Sequence, residues 1–149
     1  MSLEKEHQEA LRWLRTAEED LDAARGLLKL GKYSHACFLA QQSGEKALKA
    51  LWYDLGQDPW GHSIQKLISE IPDKSFRETF KGFIEAGGIL DRYYIPTRYP
   101  NGLPDLTPGQ VFMKKDADLC VRHARTLLSA VKNRIARKQH FPVSDRKKI

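Results

Sequence analysis

The sequence predicts an all-α protein, an up-and-down four-helix bundle with a short extra helix between the second and third long helices. Two observations lead to this fold class. Apolar side chains recur at alternating steps of three and four residues in four long segments, as they do along one face of an α-helix. No segment is a credible strand, since none alternates apolar and polar residues over a sustained run. At 149 residues, the chain is predicted to form one domain over residues 1–149.

The first long helix is predicted from Glu4 to Leu30. Gly31 ends it in the manner usual for the position after a helix C-cap. Only Lys32 then remains before the next helix, and so short a connection makes the two helices antiparallel neighbours. The apolar stripe of the first helix comprises Leu14, Ala17, Leu21, Ala24 and Leu28.

The second long helix, Tyr33 to Leu55, is the central element because most of its circumference is apolar or small. A flank of small side chains would let a neighbouring backbone approach closely. Gly56 ends the helix. The small flank is Ala36, Ala40, Ser43, Ala47 and Ala50, and a second seam follows Phe38, Gln41, Glu45, Leu48 and Trp52.

Two further long helices and one short helix complete the predicted bundle. The short helix covers His62 to Ile71, and the third long helix starts at an Asp73 cap and is terminated by Pro96. The last helix is predicted from about Val111 to Arg137, and residues 140–149 form a basic tail. Residues 96–109 hold four Pro and two Gly, so this long loop is predicted to contain no regular structure.

The charge distribution favours an acidic or phosphate-bearing partner. The net charge is +6, and all of the basic surplus lies in residues 113–149, which contain 11 Lys and Arg against 3 Asp and Glu. The alternative is a solvated helix face with a disordered basic tail. Cys37 and Cys120 occupy core positions of predicted helices, which indicates an intracellular setting. The absence of a spanning apolar run or an apolar leader predicts a cytoplasmic protein with no membrane partner.

Common cofactor and metal motifs are absent from the sequence. The five His are not at helical spacing from one another, and there is no Cys-x-x-Cys or His-Glu-x-x-His. No glycine-rich phosphate loop follows a strand. Carboxylates such as Glu18 and Asp22 are interpreted as solubilising. We therefore expect no metal and no cofactor.

The candidate binding site is the charged and aromatic cluster at the start of the long loop. Arg98 offers a planar donor fork for phosphate, and Tyr99 offers a ring that can stack on a base. We predict an anion-accepting pocket between the third long helix and the last one, with Arg98 as its main charge. In the alternative, Asp91 pairs with Arg98 to fasten the loop. The cluster comprises Asp91, Arg92, Tyr93, Tyr94, Thr97, Arg98 and Tyr99.

Several motifs together resemble the HEPN domain family of small prokaryotic helical proteins. They are AQQSGEKALKALW from Ala40 to Trp52, His62-Ser63, LDRYYIPTRYP from Leu90 to Pro100, the opening RWLRTAEEDLDAARGLL and the turn GKYSHACF. The resemblance covers most of the chain to about Ala130. It implies a helical bundle that is commonly dimeric, is often encoded with a minimal nucleotidyltransferase, and is associated with nucleotide binding or RNA cleavage.

The sequence departs from the ribonuclease members in one motif. Those members carry an Arg followed, after about four to six residues, by a His near the start of the last long helix. Arg98 has no His at these offsets, and only Arg134 and His140 match by count. That pair lies near the end of the last helix, so the resemblance supports the fold more than nuclease activity.

The leading hypothesis is a non-enzymatic nucleotide or nucleic-acid-binding module that acts with a nucleotidyltransferase. Arg98 and Arg92 would contact phosphate, Tyr99 would stack, and Lys46 and Lys49 would supply flanking charge. The alternatives are a ribonuclease toxin of a toxin-antitoxin pair that uses Arg134 and His140, and a helical scaffold without a small ligand. We also expect a homodimer, because the central helix and the three Trp offer more apolar surface than a small core consumes.

Overall fold

A computed structural model describes the backbone of residues 2–148 and the side chains of residues 2–136. Seven α-helices occur in this part of the chain. Their bounds are α1 Leu3–Lys29, α2 Tyr33–Asp54, α3 Ile64–Ser69, α4 Lys74–Phe80, α5 Ile84–Asp91, α6 Pro108–Val111 and α7 Lys114–Lys148. The predicted all-α bundle is confirmed, and no strand occurs among the described residues.

The α1–α2 hairpin forms as the sequence predicts. Gly31 has φ +76°, and the amide of Lys32 donates to the carbonyl of Leu27 over 2.9 Å, which closes the end of α1. Across the hairpin, the Ser43 hydroxyl donates to the carbonyl of Ala17 over 2.7 Å. A side chain of α2 thus contacts the backbone of α1 directly, and this confirms the close approach along the small flank of α2.

The core lies where α2 packs on α1 and α7, and α3 and α5 cover its remaining side. Both Cys37 and Cys120 are fully buried in it, as predicted. The Cys37 thiol and burial together raise the pKa of Cys120 far above the usual value, so Cys120 remains a thiol. The largest fully buried side chains are Phe80, Leu48, Leu51, Ile64, Leu67, Ile68, Ile71, Leu90, Leu127, Ile135, Gln41 and Val131.

The third long helix is not continuous. A 3-10 turn at Lys81–Phe83 separates α4 from α5, and α5 ends at Asp91, before the predicted stop at Pro96. Gly82 lies within this turn, and glycine is the poorest helix former after proline. The short α3 does form, with the Ser63 side chain capping its first turn.

The long loop contains more structure than the sequence predicts. A 3-10 turn covers Pro100–Gly102, and α6 is closed by a capping box between Thr107 and Gln110. The prediction of an irregular segment is wrong here because Pro at a first helical position favours a helix start. The last helix does not end at Arg137 as predicted, because α7 continues to Lys148 and the backbone of residues 140–148 is helical. The side chains of the predicted basic tail lie outside the described residues. No described helix is long and apolar enough to span a bilayer.

Candidate functional site

The Asp91 side chain caps α3 and does not pair with Arg98. Its carboxylate accepts hydrogen bonds from the Ser63 hydroxyl at 2.8 Å and from the amides of Ile64 and Gln65 at 2.8 and 3.1 Å. These amides belong to the first turn of α3, where backbone donors lack helical partners. The predicted Asp91–Arg98 clasp is therefore wrong, and Asp91 joins the end of α5 to the start of α3.

Tyr93 and Thr97 fasten the segment that follows α5. The Tyr93 hydroxyl donates to Asp116 of α7 over 3.0 Å, and the Thr97 hydroxyl donates to the carbonyl of Tyr93 over 2.5 Å. Burial and the hydrogen bond to Asp116 raise the pKa of Tyr93 well above its usual value, so its hydroxyl remains a donor. Thr97 is buried, whereas Arg92 is exposed at the C-cap of α5.

The Arg98 guanidinium lies among three aromatic rings. Its central carbon lies 4.5 Å from the ring centroids of Phe38 and Tyr94 and 5.1 Å from that of Tyr99. The Nε of Arg98 donates to the carbonyl of Tyr94 over 2.9 Å. Its two terminal nitrogens have no hydrogen-bond partner among residues 2–136. The ring contacts and this bond fix the orientation of the guanidinium, and its outer donors remain available.

Arg98 borders a cleft of about 250 Å³ beside the start of α2. The N-cap residue of α2, Lys32, makes no side-chain capping hydrogen bond, so the amides of the first turn and the positive end of the helix dipole favour an anion there. The predicted position of the pocket, between the third long helix and the last one, is wrong, because Arg98 packs on Phe38 of α2. The cleft is lined by Ser34, His35, Phe38, Thr97, Arg98, Pro108 and Gly109.

Lys46 and Lys49 do not join this cleft. Lys46 Nζ lies 2.6 Å from Asp20 of α1, and Lys49 Nζ lies 3.1 Å from Glu45 and 5.7 Å from the Trp13 ring centroid. Along α2, Lys46 follows Phe38 by eight residues, which is about 12 Å of helix rise. Each ammonium group already has a carboxylate partner. The prediction that Lys46 and Lys49 supply flanking charge at the cleft is therefore wrong.

A polar cluster of Gln41, Glu45, Lys49 and His62, which contacts Tyr94 through the His62 ring, was missed by sequence reasoning. The Glu45 carboxylate is buried and lies near Lys49, Gln41 and His62, while the His62 ring stacks on Tyr94 with centroids 5.1 Å apart. The available signal was the presence of Gln41 and Glu45 at helical spacing within an otherwise apolar seam of α2. A buried carboxylate needs partners, and this requirement alone would have indicated a polar cluster.

The pair Arg134 and His140 is only partly described. The Arg134 guanidinium lies 4.5 Å from the ring centroid of Phe76, and its Nε is buried without a hydrogen-bond partner among residues 2–136. The side chain of His140 lies outside the described residues. Within residues 2–136, no group of His, Cys, Asp and Glu side chains is arranged to hold a metal ion.

Fold and site together define a helical-bundle protein with a cationic, aromatic-lined cleft beside its central helix. The model of the HEPN domain family matches residues 10–134, and the chain belongs to this family. The match covers α2, the cleft and most of α7. This confirms the family that the sequence motifs indicate.

Individual relatives agree with this assignment. TT1696 from Thermus thermophilus is 39% identical, with a TM-score of 0.79 over 83% of this chain and 96% of that one. ST0689, an archaeal HEPN homologue, is 35% identical, with a TM-score of 0.71 over 85% of this chain and 97% of that one. A protein of Methanocaldococcus jannaschii named "Putative toxin MJ1304" is 29% identical over 81% of this chain and 84% of its own length.

Proposed function

We propose that this chain is a non-enzymatic HEPN module that binds the phosphate of a nucleotide or nucleic acid in the Arg98 cleft. The observation that carries the proposal is the guanidinium of Arg98, which three rings and one backbone carbonyl hold at the mouth of the cleft. A preorganised donor fork loses little conformational entropy when it binds.

The size and lining of the cleft support a phosphate ligand. A volume of about 250 Å³ is small for a whole nucleotide but leaves ample room for a phosphate group. Tyr99 is 51% exposed and lies beside Arg98, so a base can stack on its ring outside the cleft. Arg92, exposed at the end of α5, remains a proposed second phosphate contact.

Loss of the Arg98 charge is expected to weaken phosphate binding at least tenfold, since a hydrogen bond to a charged group contributes about 1.5–3 kcal/mol. The variant Arg98→Met keeps an unbranched side chain between the rings and removes the charge. Calorimetric titration with AMP measures the change, and Arg15→Ala on the exposed face of α1 is the control. Equal affinity in Arg98→Met, or no binding by the wild type, would contradict the proposal.

We also propose that the protein is a homodimer and that it acts with a minimal nucleotidyltransferase. Large apolar side chains remain exposed on the described surface, among them Trp60 at 83% and Met113 at 57%. Trp13 and Trp52 are half-buried. The Nε1 of Trp13 donates to Glu9, and the Nε1 of Trp52 donates to the carbonyl of Leu67. The partnership is tested by co-expressing this protein with a minimal nucleotidyltransferase and measuring whether the two co-purify.

The dimer is expected to be detectable in dilute solution. Light scattering at micromolar concentration should give about twice the chain mass of 17.1 kDa. Trp60→Ser should shift the protein toward the monomer if the exposed indole lies in the contact. A wild-type mass of one chain would overturn the dimer.

A second candidate function is that of a ribonuclease toxin, and the name of the Methanocaldococcus jannaschii relative supports its toxin part. In this alternative His140 acts as acid or base, and Arg134 stabilises the charge on the reacting phosphate. RNA cleavage by the wild type that His140→Ala abolishes would establish this function in place of the non-enzymatic one.

A further inference from the structure

The described part of α7 has a surplus of positive charge on its solvent side. From residue 114 to residue 136 the sequence has six Lys and Arg against two Asp and no Glu. Three of these cations are engaged within the fold, one with Asp118, one with Glu18 of α1 and one with the Phe76 ring. The other three are exposed and have no ion-pair partner within residues 2–136. They are Lys115, Arg122 and Arg125.

The three unpaired cations share one side of the helix with short polar side chains. Lys115 and Arg122 are seven residues apart, so they lie on the same side of α7, about 10 Å apart along its axis. Arg125 follows Arg122 by about 4.5 Å of helix rise. We call the exposed residues of this side the α7 strip, which comprises Lys115, Arg122, Arg125, Thr126, Ser129 and Asn133.

The composition of the α7 strip distinguishes between kinds of partner. A stable protein interface has an apolar buried centre, and a helix that lies on a membrane has an apolar face. The exposed large apolar side chains of the described chain all lie outside α7, and Met113 is the nearest of them in sequence. The α7 strip offers only charges and hydrogen-bonding groups, and a phosphodiester backbone requires no more than these.

We propose that the α7 strip binds the phosphodiester backbone of a nucleic acid, without reading its sequence, as a site separate from the Arg98 cleft. One strand of a B-form duplex has a phosphate about every 3.4 Å, so the roughly 15 Å of helix axis from Lys115 to Arg125 spans several phosphates. Each of the three cations neutralises one of them. Ser129 and Asn133 donate hydrogen bonds to phosphate oxygens further along the strand.

The test is the binding of a single-stranded oligouridine of about twenty nucleotides with hydroxyl ends, which has no terminal phosphate. Fluorescence anisotropy measures its affinity for the full chain at salt concentrations of about 50 to 200 mM. Arg122→Gln/Arg125→Gln is expected to weaken binding and to reduce the slope of log affinity against log salt by about 1.4, because each phosphate contact with a single strand contributes about 0.7. An oligoadenosine should show the same change in slope, since phosphate contacts carry no sequence information.

Two double variants are the controls for net charge and for folding. Arg15→Gln/Lys29→Gln removes two exposed positive charges from α1, and its slope is expected to stay close to that of the wild type. Arg122→Lys/Arg125→Lys keeps both charges on the α7 strip and is expected to keep most of the slope. An equal reduction of the slope in the α1 variant would show that net charge alone drives binding, and the inference would be wrong.

The outcomes separate this inference from the proposed function of the Arg98 cleft. AMP affinity should be unchanged in Arg122→Gln/Arg125→Gln, whereas Arg98→Met should lower it. Equal slopes in the wild type and in Arg122→Gln/Arg125→Gln, or no binding of oligouridine by the wild type, would overturn the inference and leave the AMP result as it stands. Binding to phosphatidylserine vesicles in place of oligouridine would identify a membrane surface instead. A halved mass of Arg122→Gln/Arg125→Gln in light scattering would place the α7 strip between two copies of the chain, and this too would overturn the inference.

Discussion

Asp91→Ala is expected to lower the free energy of unfolding by about 3 kcal/mol, because it removes three hydrogen bonds to the start of α3. The amide of Ile64, a residue that is fully buried, would be left without its acceptor. Urea unfolding followed by circular dichroism measures the loss.

A second capping aspartate provides the matched control for Asp91. Asp73 accepts one hydrogen bond, from the amide of Phe76 at 3.0 Å, and Asp73→Ala is expected to cost about 1 kcal/mol. The variant Asp91→Asn keeps one carbonyl oxygen and should fall between the two alanine variants. A loss in Asp91→Ala no larger than that in Asp73→Ala would show that the Asp91 carboxylate does not hold α3.

Gly87→Val is expected to cost about 3 kcal/mol through overpacking between α5 and α3. A Cβ at Gly87 would lie 2.9 Å from Cγ2 of Ile64 and 3.2 Å from the backbone nitrogen of Gln65. A side-chain end can rotate away, but a backbone atom moves only with its helix. Thermal and urea unfolding should both show the loss.

Substitutions at Gly82 and Gly44 provide comparisons for the loss of stability expected at Gly87. A Cβ at Gly82 meets nothing within 4 Å, so Gly82→Val should cost little beyond its change in backbone propensity. At Gly44 a Cβ meets only the methyl ends of Ile64, Leu90 and Leu127, the nearest at 2.9 Å. Gly44→Ala should therefore be milder than Gly87→Ala, since side chains can adjust and alanine favours the helix. Equal effects at Gly82 and Gly87 would contradict the proposed close contact.

The fold was predictable from sequence where local signals and packing agree. The stripe of α1, Gly31 and the small flank of α2 indicated one antiparallel pair, and the structure has that pair. The third long helix was predicted as continuous because its aromatic spacing persists through Gly82. Periodicity reports which face is buried, but it does not register a single 3-10 turn that keeps that face inward.

The candidate site was only partly predictable. Arg98 and its aromatic neighbours lie close together in the sequence, and they are also close in the structure. The partners of these residues come from distant segments: Phe38 from α2, and Ser63 and Ile64 from α3 for Asp91. A single sequence contains no direct record of such long-range pairing. Asp91 therefore looked like a possible partner for Arg98, and the stacking of His62 on Tyr94 was not foreseen.

The α1–α2 hairpin also bears on the order in which the molecule folds. Its two helices are adjacent in sequence, and contacts between neighbouring segments form with little loop-closure entropy. The cleft instead needs Phe38 and Arg98, which are sixty positions apart, to meet. We expect such a non-local contact to form in the later part of folding. A ligand that binds the cleft as proposed is therefore expected to stabilise the chain chiefly by slowing its unfolding, with little effect on the rate at which the hairpin first forms.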